Sequence, residues 1–494
     1  MTAVMSLSSV TSPAQYYSGN IFDDHADIGA CDHKGDLIFD PARQEYTISG
    51  SGDNIWFSSD QFHFAWKKLT GDFILRANIQ FIGEGGHEHR KAGWMIRQSL
   101  DPSSAHISAT VHGNGLTSLQ YRMHDGAEMS ERKSAISAPD VIQLERRGDR
   151  FIFSCAVAGD PFDTLMITDN TLTKDVYAGL FICSHDNDVT ERARFINVRI
   201  IRPAKDDFMP YRDYIGSNLE IMDIKTGLRK VILQSLLSIQ APNWSVDGRY
   251  LIYNSNGHLY KLDLGKREPV MINTGFAKNN NNDHVLSFDG KILGISHHVA
   301  DEGNRSVIFI VPVEGGDPER ITALGPSYLH GWSPDGRYLT YTAERQNNFD
   351  IYKISIKKKK EIRLTNASGL DDGPEYSPDG SYIYFNSSRT GTMQLWRMRS
   401  DGSEQEQLTF DNFNNWFPHI SPDGKWIIFL SFPPEIRADD HPFYKHVYIR
   451  LMPVSGGEPQ VIAYLYGGQG TINVPGWSPD SREIAFVSNT DIIH

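Results

Sequence analysis

Residues 331–343 read GWSPDGRYLTYTA, and the five residues Trp332-Ser333-Pro334-Asp335-Gly336 near the start of that stretch decide the fold. Proline presets φ and glycine accepts positive φ, so Ser-Pro-Asp-Gly makes a tight turn in which the aspartate bonds backbone N–H groups. The run Tyr338-Leu339-Thr340-Tyr341 that follows has the aromatic and β-branched composition of a strand, read here as the inner strand of a repeat. The same core recurs around Ser245, Ser287, Ser377, Ser421 and Ser478, each preceded by an aromatic or apolar residue. From serine to serine the steps are 42, 46, 44, 44 and 57 residues, the period of a four-stranded propeller blade. The last motif lacks a closing run, and the spare run Leu219-Glu220-Ile221-Met222-Asp223-Ile224 ahead of the first is expected to complete the sixth blade.

Upstream the grammar changes. Residues 15 to 202 hold short alternating runs such as FILRANIQF (Phe73–Phe81), HISATVH (His106–His112) and TSLQYR (Thr117–Arg122), bounded by Gly, Asp, Asn or Ser. Many strands without helices imply a sandwich or barrel. Residues 202–214, RPAKDDFMPYRDY, carry two prolines and six charges and read as a linker. The expected division is a β-sandwich over 1–204, a linker over 205–213 and a six-bladed propeller over 214–494, an all-β chain throughout.

Two resemblances sharpen this reading. The runs GSGDNIWFSSDQFHFAWKKLTGDFILRANIQF, KAGWMIRQSLDPSSAHISATVHGNG and YAGLFICSHD resemble the concanavalin-like jelly-roll domains known as DUF1349-like. The repeat from about residue 214 onward resembles the WD40-like propeller of the TolB family. The jelly-roll resemblance implies two curved antiparallel sheets but not sugar binding, because that fold hosts lectins, glycosidases and inert modules alike.

Composition narrows the function. With 494 residues and a formal net charge of −13, the chain has the size for two or three domains and lacks the basic face that nonspecific nucleic-acid binding needs. Three cysteines, Cys31, Cys155 and Cys183, offer no disulfide framework, and the last two lie in apolar runs as buried small hydrophobes. No apolar run reaches the ~20 residues of a membrane span. The first residues, MTAVMSLSSVTSPAQYY, lack a basic start and an apolar core, so the expected location is cytoplasmic, or periplasmic if a signal has been removed. Walker, Rossmann, HExxH and Gly-x-Ser-x-Gly motifs are absent from the sequence.

Chemistry is expected at one mouth of the propeller channel. The segments just before the Ser-x-Asp motifs, read as loops, occupy equivalent places in six blades, so ring closure should gather them. They offer His284, His330 and His419 as ligands for a divalent metal such as Mn, Ca or Zn, with no organic cofactor expected. They also offer Asp283, Asp372 and Glu375, joined by Glu344, Arg345 and Arg389 from strand ends, as catalytic groups. Asn243, Trp416, Gln469 and Asn473 are the expected substrate contacts. Salt bridges between blades are the alternative reading of the two arginines. One of His297 and His298 can face the channel, since alternation admits only one. The insertion 437–446 is read as a lid or an interdomain contact, with His441 and His446 solvated. In the N-terminal part, His87-Glu88-His89 reads as an exposed loop, and Trp56, His63, Trp66, Arg97, His112 and Arg122 could line a concave sugar-binding face or a packed core edge.

The expected function is a carbohydrate-active enzyme, a lyase or a glycoside hydrolase, acting on an oligosaccharide or sugar acid at the channel mouth. TolB-like propellers also resemble the oligogalacturonate lyases. That resemblance implies a metal held by the three histidines, with Gln469 nearby, to acidify the proton beside a uronate carboxylate. A hydrolase would instead use two carboxylates, their spacing deciding retention or inversion. The alternative is a non-catalytic binding or scaffold protein recognising a protein or glycan.

Overall fold

The computed structural model describes residues 14–15, 19–83, 86–168 and 171–492. They form eight antiparallel sheets and one short 3₁₀ turn, Ala300–Glu302.

Two seven-stranded sheets come first. One runs Ser130–Lys133, Thr117–Arg122, His106–His112, Lys91–Arg97, Asp175–Cys183, Phe62–Thr70, Asp24–Ile28 in spatial order. The other runs Asp163–Thr168, Arg150–Ala156, Val141–Arg147, Phe73–Phe81, Glu191–Ile201, Glu45–Gly50, Asp36–Asp40. Alternation along each strand sends one set of side chains inward. Ile107, Ala109 and Val111 of the first sheet thus share a core with Leu75, Leu144, Phe153 and Phe195 of the second, around a fully buried Trp94. Cys155 and Cys183 are buried as free thiols.

Six four-stranded sheets follow, arranged as the blades of a propeller. Blades one to five begin with Gln240–Trp244, Asn280–Leu286, Ser327–Trp332, Asp371–Tyr376 and Asn414–Ile420, and each of the first four of these strands packs against its counterpart in the next blade. Blade six is closed by both ends of the repeat region: Ser217–Asp223 pairs with Glu483–Asn489 on one side and Arg229–Ser235 on the other. The spare run ahead of the first motif therefore does complete the ring.

The repeated turn has the chemistry its residues suggest. In blade three Ser333 Oγ donates to Asp335 Oδ1 at 2.6 Å, and Ser333 Oγ accepts from Tyr338 N–H at 2.9 Å. Asp335 Oδ1 accepts from Arg337 N–H at 3.0 Å, and Gly336 takes φ +69°. In blades three and six the tryptophan ahead of the serine ties blades together: Trp332 Nε1 donates to Val285 O at 2.8 Å, and Trp477 Nε1 to His419 O at 3.0 Å.

In blades one to five the strand after the turn, such as Tyr338–Arg345, is the second of its blade and not the innermost, whereas in blade six the strand after the turn, Glu483–Asn489, stands at the end of its sheet. In blades one to five the segments before the turns, expected as loops, are themselves the innermost strands, while the sixth, residues 469–473, does stay outside any strand. A propeller needs a strand on its axis side, and these short polar runs supply it.

The two-sheet unit docks on the side of the propeller. Ile74 and Ile201 pack with Phe443, Tyr444 and Tyr466, while Val141 and Ala156 pack with Val461 and Tyr464. Arg199 Nη2 meets Glu220 Oε2 at 2.6 Å, and His446 Nε2 meets Glu145 Oε2 at 2.9 Å. His446 therefore bridges the two parts and is not simply solvated, because the insertion that carries it folds back on the second sheet.

Candidate functional site

The innermost strands do not run straight. Each of blades two to five has a bulge, where extra residues on the inner strand oppose fewer on its neighbour. In blade three Leu329 pairs with Tyr341 and Gly331 with Thr340, which leaves His330 as the extra residue. In blade five Phe417 takes φ +56° inside the bulge, its N–H held by Asn386 Oδ1 at 2.9 Å. Bulges re-aim side chains, and here His330 and Phe417 both reach the wall of one cavity.

That cavity, of about 1050 Å³, sits at the propeller mouth. Its floor carries Asp283, His330 and Asp372, and its rim carries Tyr211 and Tyr214 from the linker with Asp439, His441 and Phe443 from the blade-five insertion. Tyr211 and Tyr214 meet the Phe443 ring at 5.3 and 5.7 Å. No described residue before Tyr211 lines the cavity, so the two-sheet unit lies beside the mouth and does not cover it.

The floor is electrostatically asymmetric. His330 Nε2 lies 3.2 Å from Asp372 Oδ1, the same oxygen that accepts from Thr342 Oγ1 at 2.6 Å and from Gly373 N–H at 2.8 Å. Burial works against ionisation of Asp372, but His330 and these donors outweigh it and hold the carboxyl down at about 2. Burial likewise works against a charged His330, yet Asp372 and Asp283 raise its pKa above the ordinary value. Asp283 lacks such a partner. Burial, helped by the Asp372 charge and opposed by His330, pushes it up to about 7. One cavity thus holds two carboxyl groups poised in opposite protonation states.

Of the other expected site residues, Gln469 and Asn473 line the cavity, joined by a hydrogen bond from Asn473 Nδ2 to Gln469 Oε1 at 3.0 Å. His298 also lines it, while His297 turns toward Phe276 and Phe309. The rest lie elsewhere. Asn243 clamps blades, donating to Pro475 O and accepting from Leu286 N–H at 2.7 and 2.8 Å. Trp416 is fully buried behind the wall against His441, with ring centroids 4.5 Å apart. Glu375 holds His419 Nδ1 at 2.5 Å and Ile420 N–H at 3.0 Å. Glu344 is absent from the cavity wall, and its neighbour Arg345 pairs with Glu361 at 2.9 Å. Arg389 pairs with Asp371 at 2.8 Å within its own blade.

The three histidines do not converge. His284 is wholly buried with Nε2 directed at Ile252 O, 3.4 Å away, and burial lowers its pKa to about 4. His419 has both ring nitrogens engaged, by Glu375 and by Ile472 O. Only His330 of the three faces the cavity. Among the described residues no three His, Cys, Asp or Glu side chains form a metal-holding group. The residues present therefore do not fit the divalent ion that the histidine pattern suggests.

His441, expected to be solvated, instead belongs to the cavity wall. The insertion bends back across the mouth, so its histidine meets Trp416 and Phe417 edge-on and joins the cavity wall. A histidine beside Pro442 and Phe443 in an inserted loop was the only available signal.

The face of the first sheet turned away from the core is closed. Arg122 is fully buried, pairs with Asp60 at 2.7 Å and donates to Trp56 O and Phe57 O at 2.9 and 2.8 Å. Arg97 and His106 stand 3.7 and 3.6 Å from the same buried Asp60. The segment bearing Trp56 and Asp60 thus lies over Arg97 and Arg122, which are packed groups and not a ligand groove.

Geometry therefore defines a six-bladed propeller with a polar cavity at its mouth. A family model for the TolB β-propeller domain matches residues 329–437. The protein Atu1656 of Agrobacterium fabrum is 47% identical over 272 residues, 55% of this chain and 92% of that protein. The solved structure of a TolB candidate from Agrobacterium tumefaciens shares 46% identity, covers 57% of this chain and 100% of that one, and superposes with a TM-score of 0.54. The Tol-Pal system protein TolB of Francisella tularensis is 28% identical over 153 residues, 30% of this chain and 32% of that protein. The chain belongs to the TolB-like β-propeller family.

Proposed function

We propose that the propeller mouth is the active site of a carbohydrate-active enzyme working by acid–base chemistry, with the glycoside hydrolase form favoured over a metal-dependent lyase. The observation that carries this reading is the pair Asp283 and Asp372, two buried carboxyl groups on one cavity with oppositely displaced pKa values. Asp283, protonated up to about neutrality, is the acid that gives its proton to the leaving oxygen. Asp372, kept ionised beside His330, is the carboxylate that activates water or attacks the sugar carbon. The exposed aromatic rings of Tyr211 and Tyr214, backed by Phe443, suit the stacking of sugar rings at the rim. The two-sheet unit is proposed as a jelly-roll domain over 1–204, joined by the linker 205–213 to the propeller over 214–494.

A screen of unsubstituted oligosaccharides for release of new reducing ends tests this. Turnover that falls by at least about 100-fold in both Asp283→Asn and Asp372→Asn supports it. Folded protein that turns over no saccharide removes it. A second reading then takes its place: a non-catalytic TolB-like binder, favoured by the family itself and by the exposed Tyr211 at the rim.

A further inference from the structure

Two features of the cavity wall bear on what it takes. The first is charge. Among the described residues that line it there is no lysine and no arginine. Its carboxylates are answered from within: Asp372 by His330 at 3.2 Å, and Asp439 by Arg437 at 2.6 Å. Burial keeps Asp283 neutral to about pH 7. Arg345 and Arg389, the arginines that a sugar acid would need, are spent on Glu361 and Asp371. An anionic ligand would meet three aspartates and no unpaired cation.

The second feature is unmet hydrogen bonding. Ten of the lining residues are asparagines, so the wall is read through carboxamides, which both donate and accept. Two of them, Asn280 and Asn282 of blade two, are each 4% exposed. Asn280 donates to Gly257 O and Ala277 O, yet its Oδ1 has no donor. Asn282 Nδ2 has no acceptor. Leaving one buried polar group unpaired costs about 1–3 kcal/mol, so an orphan acceptor and an orphan donor two residues apart point to a ligand that supplies both. A hydroxyl group does so without bringing charge.

We propose that the ligand of the propeller cavity is an uncharged, hydroxyl-rich saccharide read in part by Asn280 Oδ1 and Asn282 Nδ2, and that uronic and other acidic sugars are excluded. This rests on the carbohydrate reading of the site and names the substrate class within it. It departs from the sugar-acid substrate that the histidine pattern suggests.

Calorimetric titration of the full chain with neutral gluco-, manno- and galacto-oligosaccharides, and with matched uronate oligomers, at low and high salt, decides the matter. The expected result is binding of a neutral oligomer with an affinity insensitive to salt, and no binding of its uronate counterpart. Asn282→Ala should weaken that binding about tenfold or more. The variant removes an unpaired donor, so it takes no hydrogen bond from the fold, and an unchanged melting temperature verifies that it is intact. Tighter binding of uronates, or affinity that collapses with salt, overturns the inference while leaving a carbohydrate site in place. Binding of amino sugars in preference to neutral ones does the same. Failure of every saccharide, with uncharged peptides binding instead, overturns both this inference and the carbohydrate reading.

Discussion

His330 Nε2 stands 3.2 Å from Asp372 Oδ1 although the two residues are on different blades, and both face one cavity. The pair sets the charge state of the cavity floor. It exists because blades three and four both carry bulges in their innermost strands.

The pair has a defined pH window. His330 has a folded pKa above its ordinary 6.5, so its contribution is complete below 6.5 and fades as pH rises through the folded value. Asp372 has a folded value of about 2 against an ordinary 3.8, so its contribution is present above 3.8 and fades as pH falls toward 2. The melting temperature of Asp372→Asn should therefore fall furthest below that of the unmodified protein between about pH 4 and 6.5, and the gap should narrow above that window. A constant gap from pH 4 to 9 would contradict the ion pair.

Asp283 has the opposite sign. Its folded value of about 7 lies above the ordinary 3.8, so stability is complete at low pH and is lost as pH rises through 7. Replacing it by asparagine removes the cost of ionising a buried carboxyl. Asp283→Asn should be more stable than the parent at pH 8–9, by up to about 4 kcal/mol, and no more stable near pH 4. Urea denaturation at the two pH values measures the difference, and equal stability at pH 9 would rule out the displaced carboxyl.

Glu220 anchors the interface between the two-sheet unit and the propeller. It is fully buried and bonded to Arg199 and Arg229 at 2.6 and 2.8 Å, and to Ser488 Oγ. Glu220→Ala leaves two buried guanidinium groups without their carboxylate. The expected loss is about 3–5 kcal/mol, with separate unfolding of the two parts by calorimetry. A single unshifted transition would show that the docking does not depend on this group.

The sixth turn has serine where the other five have glycine, and Ser481 takes φ +61°. A left-handed serine costs about 1 kcal/mol, but its Oγ accepts from Asp423 N–H of blade five at 3.0 Å. Ser481→Gly trades strain for that bond and should be nearly neutral. Ser481→Ala keeps the strain, loses the bond and should be about 1 kcal/mol less stable than the glycine variant by thermal melts.

What the sequence determined by itself is the repeating part. Ser-x-Asp turns are local: the aspartate bond, with glycine in five of them and proline in four, creates them within five residues, so six of them at steps of 42 to 57 residues announce six blades. The closing run 219–224 and the buried cysteines were legible for the same reason, since composition and spacing carry them. Which strand lines the channel was not, because polar innermost strands look like loops. The site was decided only in three dimensions. His284 and His330 each precede their serine, Ser287 and Ser333, by three positions. His284 pairs in register with Ile295 and points into the packing between blades, whereas His330 is the extra residue of a bulge and points into the cavity. One residue of slip reverses a strand's faces, and that slip is written in the pairing of neighbouring strands and not in either strand's own sequence. His441 reached the wall for a related reason, through an inserted loop whose course is fixed by its contacts with Trp416, Phe417 and the neighbouring two-sheet unit.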